Sequence, residues 1–117
     1  MRTAEAELLS LALETMMDTK GIVGLKIARN HRMIVDELKE YFEFKQELFK
    51  KYGEIKDNQF IIAKDSENYP LFMQELKPLE DQEVNFDFRK ITESELADSG
   101  LTARQMATIW DYMVEGE

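Results

Sequence analysis

The chain has 117 residues, no cysteine and a formal charge of −9 at neutral pH. That length suits a single domain, residues 1–117, with a core of its own, and the lack of thiols excludes disulfides, thiolate nucleophiles and Cys-based zinc sites. No apolar run approaches the roughly 20 residues of a membrane span, and acids at the N-terminus replace the basic and then greasy pattern of a signal peptide, so the expected location is the cytoplasm in which the protein is made.

The charge is unevenly placed. Residues 1–52 hold nine Lys/Arg and nine Asp/Glu, whereas residues 53–117 hold six and fifteen, so the second part carries the whole −9. Such a field disfavours nucleic-acid phosphates and suits a basic protein surface, although solubility alone also explains an acidic balance.

In chain order, Leu8, Leu9, Leu11, Ala12, Leu13, Met16 and Met17 lie in a run without a breaker from Thr3 to Lys20, which predicts a helix capped by Thr3. Asp18 to Gly21 supplies a turn, with Gly21 in a left-handed position, and so short a turn predicts an antiparallel helical hairpin. From Gly21 to Tyr52 no proline intervenes. Ile27, Ile34, Leu38, Tyr41, Leu48 and Tyr52 recur with the 4,3 spacing of a coiled-coil seam, which predicts one uninterrupted helix of roughly 45 Å. Its second half is aromatic. Ile34, Leu38, Tyr41, Phe42, Phe44, Leu48, Phe49 and Tyr52 form a packing seam that needs cover, either from the C-terminal half of the chain or from a second copy; a homo-oligomer, most simply a dimer, is expected to use part of it.

Lys50, Lys51 and Gly53 end the long helix, and Asp57-Asn58 reads as a turn. Gln59 to Ala63 is a strand by composition. Leu71, Phe72, Leu76 and Leu79 line a linking helix capped by Ser66 or Asn68, with Pro70 near its start and Pro78 expected to end or kink it. Val84 to Phe88 alternates apolar with polar, predicting a strand paired with 59–63 and laid on the aromatic half of the long helix. Two capping boxes follow, Thr92 with Glu95, stapled by Ile91 and Leu96, and Thr102 with Gln105. The last helix should place Met106, Ile109, Trp110 and Met113 on one face. The fold class is α+β, mostly α: a long antiparallel helical hairpin (1–52), then an acidic portion (53–117) with a two-stranded β-ribbon, a linking helix and short C-terminal helices packed on it.

Candidate chemistry is sparse. His31 falls on the apolar seam with no nucleophile at a defined spacing, which reads as packing rather than catalysis. Asp36, Glu37, Glu40, Glu43 and Glu47 share helical spacings, but carboxylate-bridged metal centres add Glu-x-x-His motifs that are missing here, and lysines at ion-pair spacing favour a solvated face. No metal and no cofactor are expected. Lys20, Lys26, Arg29 and Arg32 open a helix with no acid among them and form a possible anion site, unless Glu7, Glu14 and Asp18 of the preceding helix neutralise them. The acids Glu80, Asp81, Glu83, Asp87, Glu93 and Glu95 form a candidate partner-binding surface.

The segments Lys26-Ile-Ala-Arg-Asn30, Gln46-Glu-Leu-Phe-Lys-Lys-Tyr-Gly-Glu54 and Gln74-Glu-Leu76, then Leu79-Glu-Asp-Gln-Glu-Val84 and Ile91-Thr92, resemble a family of small uncharacterised proteins carried by bacteriophages and prophages of Gram-positive bacteria. The resemblance covers about three quarters of the length; its marks, the Lys-Tyr-Gly-Glu helix end and the Glu-Val strand, are structural, and it carries no active site. It implies a phage gene product acting in a bacterial host's cytoplasm or in a virion. The expected function is a non-enzymatic interaction protein that blocks a host defence or nucleic-acid-binding protein, of the anti-CRISPR or anti-defence type, through its acidic surface; the alternative is a virion-assembly or tail accessory protein that oligomerises through the long helix.

Overall fold

The computed structural model describes residues 1–116 and measures 51 × 31 × 22 Å along its principal axes. Helices α1 (Thr3–Glu14) and α2 (Gly21–Glu37) form the expected antiparallel hairpin. Helix α1 is shorter than its sequence suggests. It ends at Glu14, where the Thr15 hydroxyl donates to Ala12 O at 2.6 Å and residues 15–19 tighten into i→i+3 bonds, as helix ends commonly do. Thr3 is not its cap. The Thr3 N–H and hydroxyl both donate to Gln82 O, at 2.8 and 2.9 Å, so the residue is committed to a distant segment and Arg2 takes the cap position. Gly21 has φ +72°, the left-handed geometry expected of the turn.

The long rod is interrupted, contrary to the continuous pattern of its sequence. Leu38, with φ −91° and ψ 9°, separates α2 from α3 (Lys39–Tyr52), although its N–H still reaches Ile34 O and its C=O accepts from Phe42 N, both at 2.9 Å. The two halves pack on different partners, α2 on α1 and α3 on a later helix, and a one-residue break lets each half follow its own neighbour.

After Gly53 the chain forms a hairpin of β1 (Glu54–Lys56) and β2 (Gln59–Ile61), joined through Asp57 and Asn58 at φ 52° and 64°. Two positive φ values define a type I′ turn, which matches strand twist. The ribbon is therefore local. The pairing of 59–63 with 84–88 predicted above does not occur, because the tight turn brings Glu54–Lys56 alongside first. The aromatic half of α3 is covered instead by α4 (Tyr69–Glu80), whose Phe72 ring lies 5.0 Å from Phe49 and whose Phe72 and Leu76 are buried. Pro78 neither starts nor stops this helix; it sits in the last turn, where only one ladder donor is lost.

Residues 82–90 run extended but are no strand of the ribbon. Val84 N donates to Met1 O at 2.8 Å, Arg2 bridges Glu83, and the Phe86 and Phe88 rings stack 5.2 Å apart. Next, β3 (Ile91–Thr92) leads into α5 (Glu93–Ala97), then α6 (Ala103–Met113) and β4 (Val114–Glu115), which pairs parallel with β3. Both capping boxes form: Thr92 N and Gln105 N find Glu95 Oε1 and Thr102 Oγ1 at 3.0 and 3.1 Å. On α6, Ile109 and Met113 are buried, but Trp110 is 43 % exposed and lies off the inner face where it was expected. The helix presents Met106, Ile109 and Met113 inward, and Trp110 is rotated to the flank of that stripe. One continuous core joins Leu13, Ile27, Ile34, Ile91, Ile109 and Met113 across both parts of the chain.

Candidate interaction surface

The six acids assigned to a partner surface occupy different environments. Glu95 is half-buried: its carboxylate accepts from Lys26 Nζ at 2.8 Å and from Thr92 N at 3.0 Å. The Lys26 ammonium first, and the Thr92 amide next, hold that carboxyl below the usual glutamate range. Asp81 pairs with Lys77 at 2.8 Å and Arg2 at 3.3 Å, and Lys77 above all depresses its pKa. Glu83 meets the N-terminal amine at 3.3 Å, and Glu80 is half-buried. Asp87 and Glu93 are exposed and have no cationic partner among the described residues. The parallel pairing of Thr92 with Glu115 brings Glu115 close to residue 93, and Asp98 and Asp111 are likewise exposed, with no ion pair among the described residues. The approach of Glu115 to residue 93 is not legible in the sequence, since the β3–β4 pairing that produces it spans more than twenty residues.

The candidate anion site is dispersed as well. Lys26 turns inward to Glu95 and to Lys90 O, the latter at 2.7 Å. Arg32 leans on Asp36 at 3.8 Å, and Arg29 is exposed. Lys20 lines an open cleft of about 510 Å³ together with Thr15, Asp18, Thr19, Asp98 and Ser99, and carboxylates on two walls give an anion no advantage there. One turn beyond Lys26, Asn30 is fully buried: its Oδ1 accepts from Arg89 N at 2.8 Å and its Nδ2 donates to Arg89 O at 3.0 Å. Lys26 and Asn30, four residues apart on one face of α2, thus clasp the backbone of residues 89–90. Asn30 has no counterpart in the candidate sets drawn from sequence, where it reads only as one more position of a polar helical stretch.

His31 Nε2 lies 3.4 Å from a Glu14 carboxylate oxygen, within a helix pair rather than beside a nucleophile. Glu7 receives the Tyr41 hydroxyl at 3.0 Å and Lys45 Nζ at 2.9 Å, and burial, followed by the charge of Glu7, pushes the Tyr41 phenol well above its ordinary pKa. Among the seam residues Ile34, Leu38, Tyr41 and Leu48 are buried, Phe42, Phe49 and Tyr52 are half-buried, and Phe44 is 43 % exposed.

The fold and its surface define an α+β domain, mostly α, in which an acidic C-terminal part is clasped onto a helical hairpin. No family model, no curated protein and no solved structure matches the chain. Among the described residues no three of His, Cys, Asp or Glu gather at metal-binding geometry, and no helix is long and apolar enough to cross a membrane.

Proposed function

We propose that the chain is a non-enzymatic, phage-type interaction protein that engages a basic host protein, one that defends the cell or handles nucleic acid, through the acids of its C-terminal part. The observation that supports this reading is the state of those acids. Asp87, Glu93, Asp98, Asp111 and Glu115 are exposed and carry no ion pair among the described residues, whereas Glu95, Asp81 and Glu83 are neutralised within the fold. Unpaired carboxylates on one part of a molecule set up a field that steers a cationic surface and raises its association rate. The reading therefore rests on Asp87 and Glu93 from the original set, joined by Glu115, Asp98 and Asp111.

The test is affinity capture from an expressing bacterium with mass spectrometry, run in parallel with a variant carrying Asp87→Lys, Glu93→Lys, Asp111→Lys and Glu115→Lys. The expected partner is a basic protein released by salt and lost on charge reversal. Undiminished capture of the same partner by the reversed variant at physiological salt rejects the proposal.

A further inference from the structure

Residues 39–80 hold to one another as a piece. Helix α3 runs out from the break at Leu38 and α4 returns beside it: the Phe72 ring lies 5.0 Å from Phe49 and 6.4 Å from Tyr69, Lys51 pairs with Glu75 at 3.4 Å, and Asn68 Nδ2 donates to Tyr52 O at 3.2 Å. The other residues are tied among themselves, Lys26 and Asn30 to the backbone of 89–90, Thr3 to Gln82 and Met1 to Val84. The piece joins them at two residues. Leu38, with φ −91° and ψ 9°, interrupts the rod, and Asp81, with φ −86° and ψ −6°, ends α4. Residues at the ends of elements are where a hinge rotation is absorbed.

Directional bonds across this boundary are few. Among the described residues, every hydrogen bond or ion pair that joins 39–80 to the rest ends on a junction, at Leu38, Asp81 or Gln82, or else on Glu7. Glu7, on α1, receives the Tyr41 hydroxyl at 3.0 Å and Lys45 Nζ at 2.9 Å, two groups one turn apart on α3. The Glu7 and Lys45 side chains are 18 % and 24 % exposed, so salt screens this pair less than the surface pairs. The core runs through the boundary as well, but apolar burial is non-directional. It holds the piece close without fixing its angle.

We propose that residues 39–80 are an arm, hinged at Leu38 and Asp81 and latched by Glu7 of α1. The latch sets where the β1–β2 ribbon stands. That ribbon follows the outer end of α3, about 20 Å from Leu38, and carries the exposed Ile55, Phe60 and Ile61. A turn of about 15° at the hinges moves it about 5 Å relative to α1 and α2.

Pulsed electron double resonance on the full chain tests the proposal. The chain has no cysteine, so two introduced thiols carry spin labels without background. Arg29→Cys with Lys56→Cys reports arm against hairpin, and Lys39→Cys with Lys56→Cys reports within the arm; all three positions are exposed. The first pair should give one narrow distance in the parent and a distribution broadened or shifted by about 5 Å with Glu7→Ala, while the second pair stays as it was. Glu7→Gln keeps an oxygen for the Tyr41 hydroxyl but drops the charge that holds Lys45, so it should broaden the first pair less, and it decides the matter if Glu7→Ala does not fold. Glu14→Ala, which removes the contact with His31 inside the hairpin, should change neither pair. A first-pair distribution already broad in the parent, one unmoved by both Glu7 variants, equal broadening of both pairs, or the same broadening from Glu14→Ala would each overturn it.

Discussion

Asn30→Leu is the sharpest perturbation of the fold. The asparagine is fully buried on α2 and its amide closes a two-bond ring with the Arg89 backbone, accepting at 2.8 Å and donating at 3.0 Å. Leucine has a similar size, so the cost is polar rather than steric. The two hydrogen bonds to the Arg89 backbone, about 1 kcal/mol net each, disappear together with a weaker one from Nδ2 to Met113 Sδ at 3.3 Å, and the Arg89 N–H and C=O are left wholly or partly unpaired at about 1–3 kcal/mol each when fully desolvated. Residue 89 is exposed as a whole and the two bonds are only part-buried, which places the total at about 2–4 kcal/mol. For a domain of this length that corresponds to a fall in Tm of about 8–16 °C. Asn30→Asp separates the two bonds. The carboxylate still accepts from Arg89 N but faces Arg89 O with no proton, so this variant should be destabilised near neutral pH and partly recover in acid, where a protonated carboxyl donates again. Urea denaturation followed by circular dichroism measures both. If Asn30→Leu unfolds within about 1 kcal/mol of the parent, the clasp is not what holds residues 86–90 against α2, and the reasoning fails.

Glu95 titrates below its ordinary range in the folded chain, so its contribution is present above the unfolded carboxyl pKa, about 4.3, and is lost as pH falls through the lower folded value. Glu95→Gln should therefore lessen the loss of stability in acid, and an unchanged acid limb in urea melts across pH 2–5 would count against the Lys26 ion pair. Gly24→Ala should destabilise by about 1–3 kcal/mol, because a Cβ there is driven into the Thr19 carbonyl; a melting temperature equal to the parent's would contradict that. Asn58→Gly should tighten the β1–β2 hairpin, since Asn58 holds φ 64° and glycine adopts that region without steric cost. Slower hydrogen exchange confined to residues 54–61 is the expected reading, and faster exchange there the refuting one.

What the sequence reveals here is what is decided within a few residues. Thr92 with Glu95 and Thr102 with Gln105 form boxes whose every atom lies within one turn, and the Asp57-Asn58 turn is equally local. The break at Leu38 carries no such mark. Glu37, Leu38 and Lys39 are all good helix formers, and the interruption arises because α1 and α4 draw the two halves of the rod apart. The alternation of Val84 to Phe88 correctly signals extended chain with Phe86 and Phe88 on one side, but the partners that hold residues 82, 84 and 89, namely Thr3, Met1 and Asn30, lie far away in sequence and leave no periodicity to read. Residues 59–61 do belong to the ribbon, but their partner Glu54-Ile55-Lys56 is short and mostly charged and carries no strand pattern to read. In the acidic set, Glu95 was separable in advance: a glutamate that closes a capping box already has its carboxylate engaged. Asp81 has its main partner, Lys77, four residues earlier on one helix, which is local too, whereas Glu83 meets the Met1 amine only once the chain start is folded against it.

The clasp on α2 also bears on the order in which the molecule comes together. Lys26 and Asn30 grip carbonyls and an amide some sixty positions downstream, so that closure bears a loop entropy which the hairpin α1–α2, joined by a few residues, does not. Contacts that close after the folding barrier slow folding little when they are weakened and speed unfolding instead. Asn30→Leu should accordingly shorten the lifetime of the native state more than it slows its formation, which the two limbs of a urea chevron would separate.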